Sequence, residues 1–334
     1  MRIKYCLILF LLCSLPSFAQ QDISSPKLYL NITVDQLRTD FLYEFSGMYG
    51  EDGFKRLLAG GRVYPNSYYP FDNIDRASAV ATLSTGTVPY VNGIVGENWL
   101  DRTSLRIVNC VEDHQCKGLY TNHPKSPHRL KAITVTDEIK RASRGNAIVC
   151  AIAPEEDAAV LSGGHAADVV LWKNNSTGYW CSSSYYGLYP QWVADKNKEI
   201  YGRSSEWEPL LPMNKYNSFG EAVPSAFRYS FNGKDKIDRY KTSACVNDEV
   251  NEMAMAFLNA TDAGKDGITD CLALTYYAGN YDGNSMEDLV LAKENGSITV
   301  REYLPGDPDG NGTVNIRDAA LILQFVAGWD VTLG

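Results

Sequence analysis

The sequence predicts an α/β fold in which helices cover both faces of a mostly parallel central sheet. Three apolar runs, at 27–34, 147–152 and 268–277, have the composition of buried strands. Between them, apolar residues recur at helical spacing at 37–45 and 246–257. Strands that alternate with helices are typical of a sheet covered on both sides.

Asp35 directly follows the first predicted strand. In open α/β sheets, ligands bind beyond the carboxyl ends of the strands. The sequence therefore predicts a ligand site beside Asp35.

Composition excludes several classes of protein. Of 334 residues, 45% are apolar and 21% are charged, which argues against disorder and against a coiled coil. Acidic residues outnumber basic ones by 40 to 31, so no nucleic-acid partner is expected. Beyond the N-terminus no apolar run is long enough to span a membrane.

The N-terminus has the pattern of an export signal at residues 1–19. Arg2 and Lys4 precede an apolar stretch at 5–15, and Ser17 to Ala19 form a small-x-small cleavage site. The apolar stretch is shorter than the roughly 20 residues of a membrane-spanning helix, although an uncleaved anchor is the alternative. We expect a periplasmic or secreted protein.

Six cysteines follow the predicted signal peptide, and an even number outside the cytosol permits disulfides. Cys110 and Cys116 are close enough in sequence to close one surface loop. Cys150 and Cys271 lie in strand-like runs, where a buried free thiol is equally expected. The sequence does not select a pairing.

The chain divides into two predicted units. The α/β domain is assigned to 27–292, and its segment 174–240, rich in Tyr, Trp, Ser, Asn and Gly, is interpreted as a long excursion over the sheet. A linker at 293–304 leads to a small unit at 305–334.

The small unit contains a candidate calcium loop. Oxygen-bearing residues occupy positions 1, 3, 5, 7, 9 and 12 of the loop, as a calcium ion requires, with Gly312 at the turn. These residues are Asp307, Asp309, Asn311, Thr313, Asn315 and Asp318. A single helix pattern follows at 319–328, so the unit resembles an EF-hand-like dockerin repeat, which implies a cohesin-type scaffold as partner. A solvated acidic turn is the alternative.

A series of motifs runs through the larger unit. They read NITVDQLR at 31–38, GFKRL at 53–57, TGT at 85–87, NGIVGENW at 92–99, GGHAA at 163–167 and ALTYYAGN at 273–280. In this order they resemble the alkaline phosphatase superfamily, in particular the periplasmic alkaline phosphatases with a threonine nucleophile and the related nucleotide pyrophosphatase/phosphodiesterases. The resemblance implies that family's α/β fold, here truncated.

The resemblance also implies a site with two zinc ions, a hydroxyl nucleophile and donors to the phosphoryl oxygens. Asp35 matches the first zinc ligand. The nucleophile falls on Arg76, and the asparagine that steadies the phosphoryl group falls on Glu97. Arginine has only hydrogen-bond donors and cannot attack phosphorus or bind zinc.

The other matched positions are changed as well. The lysine and arginine of the phosphate clamp fall on Glu155 and Asp157, and two later zinc ligands fall on Tyr276 and Asn280. We therefore expect a non-catalytic relative in which zinc binding is unlikely. Arg76 is expected to replace the missing cations by pairing with Asp35 or with the new carboxylates. The alternative is that Arg76 points to solvent beside a helix cap at Asp75.

Two other functions stay open. An active phosphomonoesterase or phosphodiesterase would need a shifted nucleophile, such as Ser78, Thr82 or Ser84. A calcium-dependent, scaffold-attached module would have its function in the dockerin-like unit. The pair Asp113-His114 is interpreted as a surface turn, and His165 as part of the scaffold.

Overall fold

Strands and helices alternate along the part of the chain that the computed structural model describes. This part comprises residues 25–39, 41–64, 67–200, 206–208, 211–212 and 228–278, together with the backbone of 289–294 and 297–302. The strands are β1 Leu28–Asp35, β2 Asn98–Asp101, β3 Arg106–Asn109, β4 Gly118–Leu119, β5 Val149–Ile152, β6 Val169–Lys173, β7 Trp180–Ser183, β8 Glu206–Trp207, β9 Tyr229–Ser230, β10 Asp270–Tyr277, β11 Leu289–Glu294 and β12 Ser297–Glu302. The α-helices are α1 Phe41–Glu44, α2 Phe54–Gly60, α3 Arg76–Thr85, α4 Pro89–Asn92, α5 Val135–Ala142, α6 Glu156–Gly163, α7 Gln191–Ile200, α8 Lys236–Lys241 and α9 Cys245–Ala260.

The central sheet is mixed. Its strand order is β1-β10-β5-β6-β7-β4. The first three pairings, from β1 to β6, are parallel, whereas β6-β7 and β7-β4 are antiparallel. The predicted α/β class is confirmed, and the sheet is mixed: three of its five pairings are parallel, as expected of most of the sheet, and β7 and β4 add an antiparallel edge.

Helices cover both faces of the sheet, as predicted. Because successive strand residues point to opposite faces, Ala273 packs with α3 and α6 while Leu272 and Leu274 pack with α7 and α9. The largest fully buried side chains include Trp172 on the first face and Trp180 on the second. The sheet therefore lies between two apolar layers.

The parallel register brings three segment ends to one edge of the sheet. Asp35 at the end of β1 lies opposite Tyr277 at the end of β10. The neighbouring strand β5 ends at Ile152 and leads directly into α6. Residues that follow these strands meet at this carboxyl edge, where the sequence predicts a ligand site.

The segment 174–240 contributes to the sheet and to its core. It contains β7, which pairs with β6, and α7, whose Val193 and Ile200 lie in the apolar layer below the sheet. The predicted boundaries of the excursion, of the linker and of both units stay predictions. Strands β11 and β12 pair with each other and overlap the segment interpreted as a linker.

Several sequence-based interpretations fall outside the described residues, namely the signal peptide, Asn280 and the six candidate calcium ligands. All six cysteines that follow residue 19 are described, and each is a free thiol, including Cys110 and Cys116. No helix among the described residues has both the length and the apolar character that crossing a membrane requires.

Candidate functional site at the carboxyl edge of the sheet

Asp75 fixes the start of α3 and the position of Glu97. One oxygen of its carboxylate accepts the backbone N–H of Ser78 at 2.8 Å, and the Ser78 hydroxyl accepts the backbone N–H of Asp75 at 3.0 Å. This reciprocal pair is a capping box. The other carboxylate oxygen accepts the backbone N–H of Glu97 at 2.6 Å. One side chain therefore holds the helix that begins with Arg76 and the loop that carries Glu97.

Arg76 turns inward and pairs with Asp157. Its Nε lies 2.9 and 3.0 Å from the two carboxylate oxygens, and its Nη1 donates to the Tyr277 hydroxyl at 3.1 Å. Its Nη2 is 4.0 Å from Glu97 Oε2. The Arg76 side chain is 16% exposed and that of Asp157 is 2% exposed. The predicted pairing of Arg76 with a carboxylate is confirmed, and the alternative in which it points to solvent is wrong.

The other two carboxylates at the start of α6 also have cationic partners. The Nζ of Lys241 lies 2.7 Å from Glu155 and also donates to the side-chain oxygen of Asn175. The Nζ of Lys125 lies 3.1 Å from Glu156. Both lysines are buried. Three consecutive acidic positions are thus neutralised by cations from three other parts of the chain, as buried charges require.

Burial and these cations act in opposite directions on the pKa of each carboxyl group. Burial raises the pKa of Glu155 above its ordinary value, although Lys241 and Arg76 lower it. Burial would also raise the pKa of Glu156, but the charges of Lys125 and Lys241 outweigh it, so this pKa is lowered. Pairing therefore keeps Glu156 ionised near neutral pH.

Asp35 and Glu97 lie near Arg76 and are less buried than Asp157. Burial raises the pKa of Asp35, Arg76 opposes this effect, and the charge of Asp157 adds to it. Burial likewise raises the pKa of Glu97, and Asp157 again adds to the shift. Ionisation of both carboxyl groups is therefore less favourable here than in water.

The two tyrosines at the end of β10 have different positions. Tyr277 contacts Arg76, and burial raises its phenol pKa well above the ordinary range, so it acts as a neutral hydroxyl. Tyr276 points to the opposite face of the sheet, where its hydroxyl donates to Asn251 at 2.7 Å. The position matched to a zinc ligand therefore carries a side chain outside the site.

The three alternative nucleophiles on α3 differ in access. Ser78 is fully buried, and its hydroxyl belongs to the capping box. The Thr82 hydroxyl is buried and has no hydrogen-bond partner among the described residues. Ser84 lines the cleft beside β1 and is 7% exposed. None of these hydroxyls hydrogen-bonds to a histidine or lysine that could act as a base within the described chain.

The histidine interpretations agree with the structure. His114 is largely exposed and lies 3.9 Å from Glu112, as expected for a surface turn. His165 follows Gly164, whose φ of 72° suits glycine, and its ring nitrogens lie 2.8 Å from Asp137 and 3.0 Å from the Leu130 carbonyl. Both partners can accept a hydrogen bond, and the hydrogen bond to Asp137 raises the pKa of His165. In the described part of the chain, no three His, Cys, Asp or Glu residues are placed to hold a metal ion.

A cleft of about 1150 Å³ runs along β1 above this network. Its charged lining includes Asp35, Arg76 and Glu97, and its apolar lining includes Phe41 and Tyr69. The cleft is large enough for a small organic molecule. Its position matches the ligand site predicted beside Asp35.

Sequence reasoning missed Lys241, Lys125 and Tyr277. A signal existed for the two lysines, since three adjacent acidic residues at the start of a buried helix require cations nearby. Nothing in the local sequence indicates which of the 31 basic residues supply them.

Comparisons with known proteins give a consistent result. The pattern of the type I phosphodiesterase/nucleotide pyrophosphatase family matches residues 29–303. Alkaline phosphatase PhoV of Synechococcus elongatus is 32% identical over 80% of this chain and 52% of its own length. Alkaline phosphatase PafA of Elizabethkingia meningoseptica is 31% identical over 78% of this chain and 53% of its own length.

Solved structures agree in fold. The crystal structure of wild-type alkaline phosphatase PafA has a TM-score of 0.65 and 29% identity, over 75% of this chain and 52% of that protein. The chain thus spans about half the length of the relatives that it matches. On the match over most of its length, the chain belongs to the type I phosphodiesterase/nucleotide pyrophosphatase family.

Proposed function

We propose that this chain is a non-catalytic member of its family, whose cleft binds a ligand without hydrolysing it. The observation that carries the proposal is the inward pairing of Arg76 with Asp157. The resemblance places a nucleophile at the first position and a phosphate-binding arginine at the second. Here the two side chains neutralise each other. Arg76 supplies no hydroxyl nucleophile, and Asp157 supplies no cation for the phosphate.

The spacing of the changed positions supports the correspondence. A solved variant of PafA carries replacements of a threonine and an asparagine 21 positions apart, and of a lysine and an arginine two positions apart. In this chain Arg76 and Glu97 are 21 positions apart, and Glu155 and Asp157 are two apart. Within each pair the spacing is therefore the same as in that phosphatase, whereas the two pairs are 58 positions apart here (Glu97 to Glu155) and 62 apart there.

The residues around Asp35 do not suit a pair of zinc ions. Zinc in proteins is held by thiolates, imidazoles and carboxylates. Among the described residues, the groups near Asp35 include the guanidinium of Arg76, which only donates, the neutral hydroxyl of Tyr277, and the carboxylate of Asp157, which already accepts from Arg76. We propose that Arg76, instead of metal ions, supplies the positive charge at this end of the cleft.

Hydrolysis assays on the whole chain test the proposal. With zinc supplied, we expect no turnover of p-nitrophenyl phosphate or bis-p-nitrophenyl phosphate above that of the Arg76→Ala variant, and no zinc retained after gel filtration. Turnover that disappears in Asp35→Ala but persists in the exposed control Asp262→Asn would contradict it, and would favour a hydrolase with a shifted nucleophile. Asp262 is 91% exposed and lies outside the cleft.

We further propose export to the periplasm or the medium, and calcium binding by the six oxygen ligands at 307–318, with a cohesin-type scaffold as partner. These proposals rest on the leader pattern and on the loop spacing. Calorimetric titration of calcium into the whole chain tests the loop, and Asp309→Ala should abolish the binding.

A further inference from the structure

Strand β1 lies at one end of the central sheet and is paired on one side. Its partner among the described residues is β10, which itself lies between β1 and β5. Tyr29, Leu30 and Ile32 of β1 are 40%, 47% and 48% exposed, although nearly all residues of β10 are buried. Because neighbouring side chains of a strand point to opposite faces, both faces of β1 are partly open. An exposed apolar edge strand is a surface that readily pairs with another strand.

The hydrogen bonds to β10 show which backbone groups of β1 point to the open edge. The carbonyl of Lys27 accepts the backbone N–H of Asp270 at 3.0 Å. The carbonyl of Asp35 accepts the backbone N–H of Ala278 at 3.0 Å. The N–H and C=O groups of successive strand residues point to opposite sides, so the odd-numbered residues of β1 are bonded to β10. Four residues therefore direct their N–H and C=O groups to the open edge: Leu28, Leu30, Ile32 and Val34.

The cleft beside β1 gives another strand access to these groups. Asn31 and Thr33 on β1 line it, and Val80 and Leu83 line it from α3. Its volume is about 1150 Å³, and no other strand of the described chain lies along this edge of the sheet. The backbone groups that point to the edge are therefore open to a partner.

The charges of β1 are complementary to those of a second β1 in the antiparallel orientation. Lys27 immediately precedes the strand, Asp35 ends it, and no charged residue lies between them. When Asn31 lies opposite Asn31 of a second copy, Lys27 of each copy lies opposite Asp35 of the other. Opposite charges directly across a strand pair are stabilising.

The same register satisfies the backbone of both strands. Leu28 lies opposite Val34 of the second copy, and Leu30 lies opposite Ile32. Each of these is a hydrogen-bonded pair that exchanges two N–H···O bonds, so all the groups that point to the open edge are bonded. The four apolar side chains lie on one face, where they contact each other across the pair.

We propose that two copies of this chain associate through β1, as an antiparallel pair centred on Asn31 that joins their two sheets into one. The interface is isologous, since the same strand is used by both copies. Lys27 of the partner copy lies beside Asp35, so each copy contributes a cation to the cleft of the other. This inference does not depend on whether the cleft hydrolyses a ligand.

Sedimentation equilibrium of the whole chain over a dilution series tests the association. We expect twice the mass of a single chain for the parent. The double variant Leu30→Lys/Ile32→Lys places like charges directly opposite each other across the pair, and should weaken association at least about a hundredfold. The matched control Leu100→Lys/Ile107→Lys changes two apolar residues that lie opposite each other in β2 and β3, and should stay dimeric. They are 53% and 69% exposed.

Two further variants test the register. Lys27→Glu should weaken association at least about tenfold, because two attractive pairs become repulsive. Asn31→Cys should form an intermolecular disulfide under mild oxidation, since the two Cα atoms lie about 4.5 Å apart in such a pair. Tyr29→Cys should form no more intermolecular disulfide than the parent, because its copy lies about 14 Å away along the strand.

Four outcomes would overturn the inference. They are a parent chain that is monomeric at every concentration, a folded Leu30→Lys/Ile32→Lys variant that associates as the parent does, unaltered association of Lys27→Glu, and equal cross-linking of Tyr29→Cys and Asn31→Cys. A circular dichroism spectrum that matches the parent establishes that a variant is folded. The cysteine variants test the interface even if the double lysine variant fails to fold.

Discussion

The carboxylates at the two ends of the candidate site differ in how closely they are paired with cations. At the buried end, Glu155, Glu156 and Asp157 each have a cationic partner within 3.1 Å. At the open end, Asp35 and Glu97 share one distant arginine. Carboxylates away from water require partners, whereas those at a cleft can exchange with solvent or with a ligand. Carboxylate charge is therefore neutralised by a close cation where it is buried and left without one where it lines the cleft.

Removal of Lys241 should have the largest effect. Lys241 is 1% exposed and its partner Glu155 is largely buried, so Lys241→Met leaves a carboxylate without its cation. We expect a loss of about 4 kcal/mol in the free energy of unfolding, measured by urea denaturation. The exposed control Lys265→Met, which loses one surface ion pair, should change stability by less than about 0.5 kcal/mol.

The double variant Lys241→Met/Glu155→Gln sharpens the same comparison. It removes both charges, so most of the lost stability should return. If the double variant is as unstable as the single one, the ion pair with Glu155 is not the source of the stability that Lys241 contributes.

Removal of the arginine should have the next largest effect. Arg76→Met leaves Asp157 buried opposite an apolar side chain, and we expect a loss of about 3 kcal/mol by the same assay. Asp157→Asn in the Arg76→Met background should recover about half of this loss, since a neutral amide is easier to bury. A loss below about 1 kcal/mol for Arg76→Met would show that the buried end tolerates an unpaired carboxylate.

Neutralisation of Asp35 should have the smallest effect and the opposite sign. The pKa of Asp35 is raised in the folded chain, so its ionisation favours the unfolded state. Below pH 3.8, the ordinary pKa of an aspartate, Asp35 is protonated in both states and the chain keeps its full stability. This contribution is lost as the pH rises through the higher pKa of Asp35 in the folded chain.

Asp35→Asn should therefore stabilise the chain at pH 7, by less than either loss expected above, with the gain vanishing below pH 3.8. Thermal unfolding at both pH values measures this difference. A destabilised Asp35→Asn at pH 7 would mean that the open end, too, depends on its carboxylate for stability.

The fold could be predicted to the level of its class and its two covered faces. The apolar runs at 147–152 and 268–277 became the central strands because such runs are stable when both faces are buried. The antiparallel edge was missed, because β7 lies in a segment whose Tyr, Ser and Asn content indicates a surface loop. Its pairing with β6 depends on the turn between them and on the layer beneath, not on its own composition.

The sequence by itself determined that acidic residues stand at 97, 155 and 157, which the resemblance matches to phosphate-binding positions, and that a helix begins at Arg76 behind the cap of Asp75. These features are local, because motifs and helix caps depend on residues that are close in sequence. Only the tertiary structure decided that Arg76 pairs with Asp157, 81 positions away, and Glu155 with Lys241, 86 positions away. The reason is physical: an ion pair forms between side chains that the sheet and its helices bring within a few ångströms, and sequence distance does not encode that proximity.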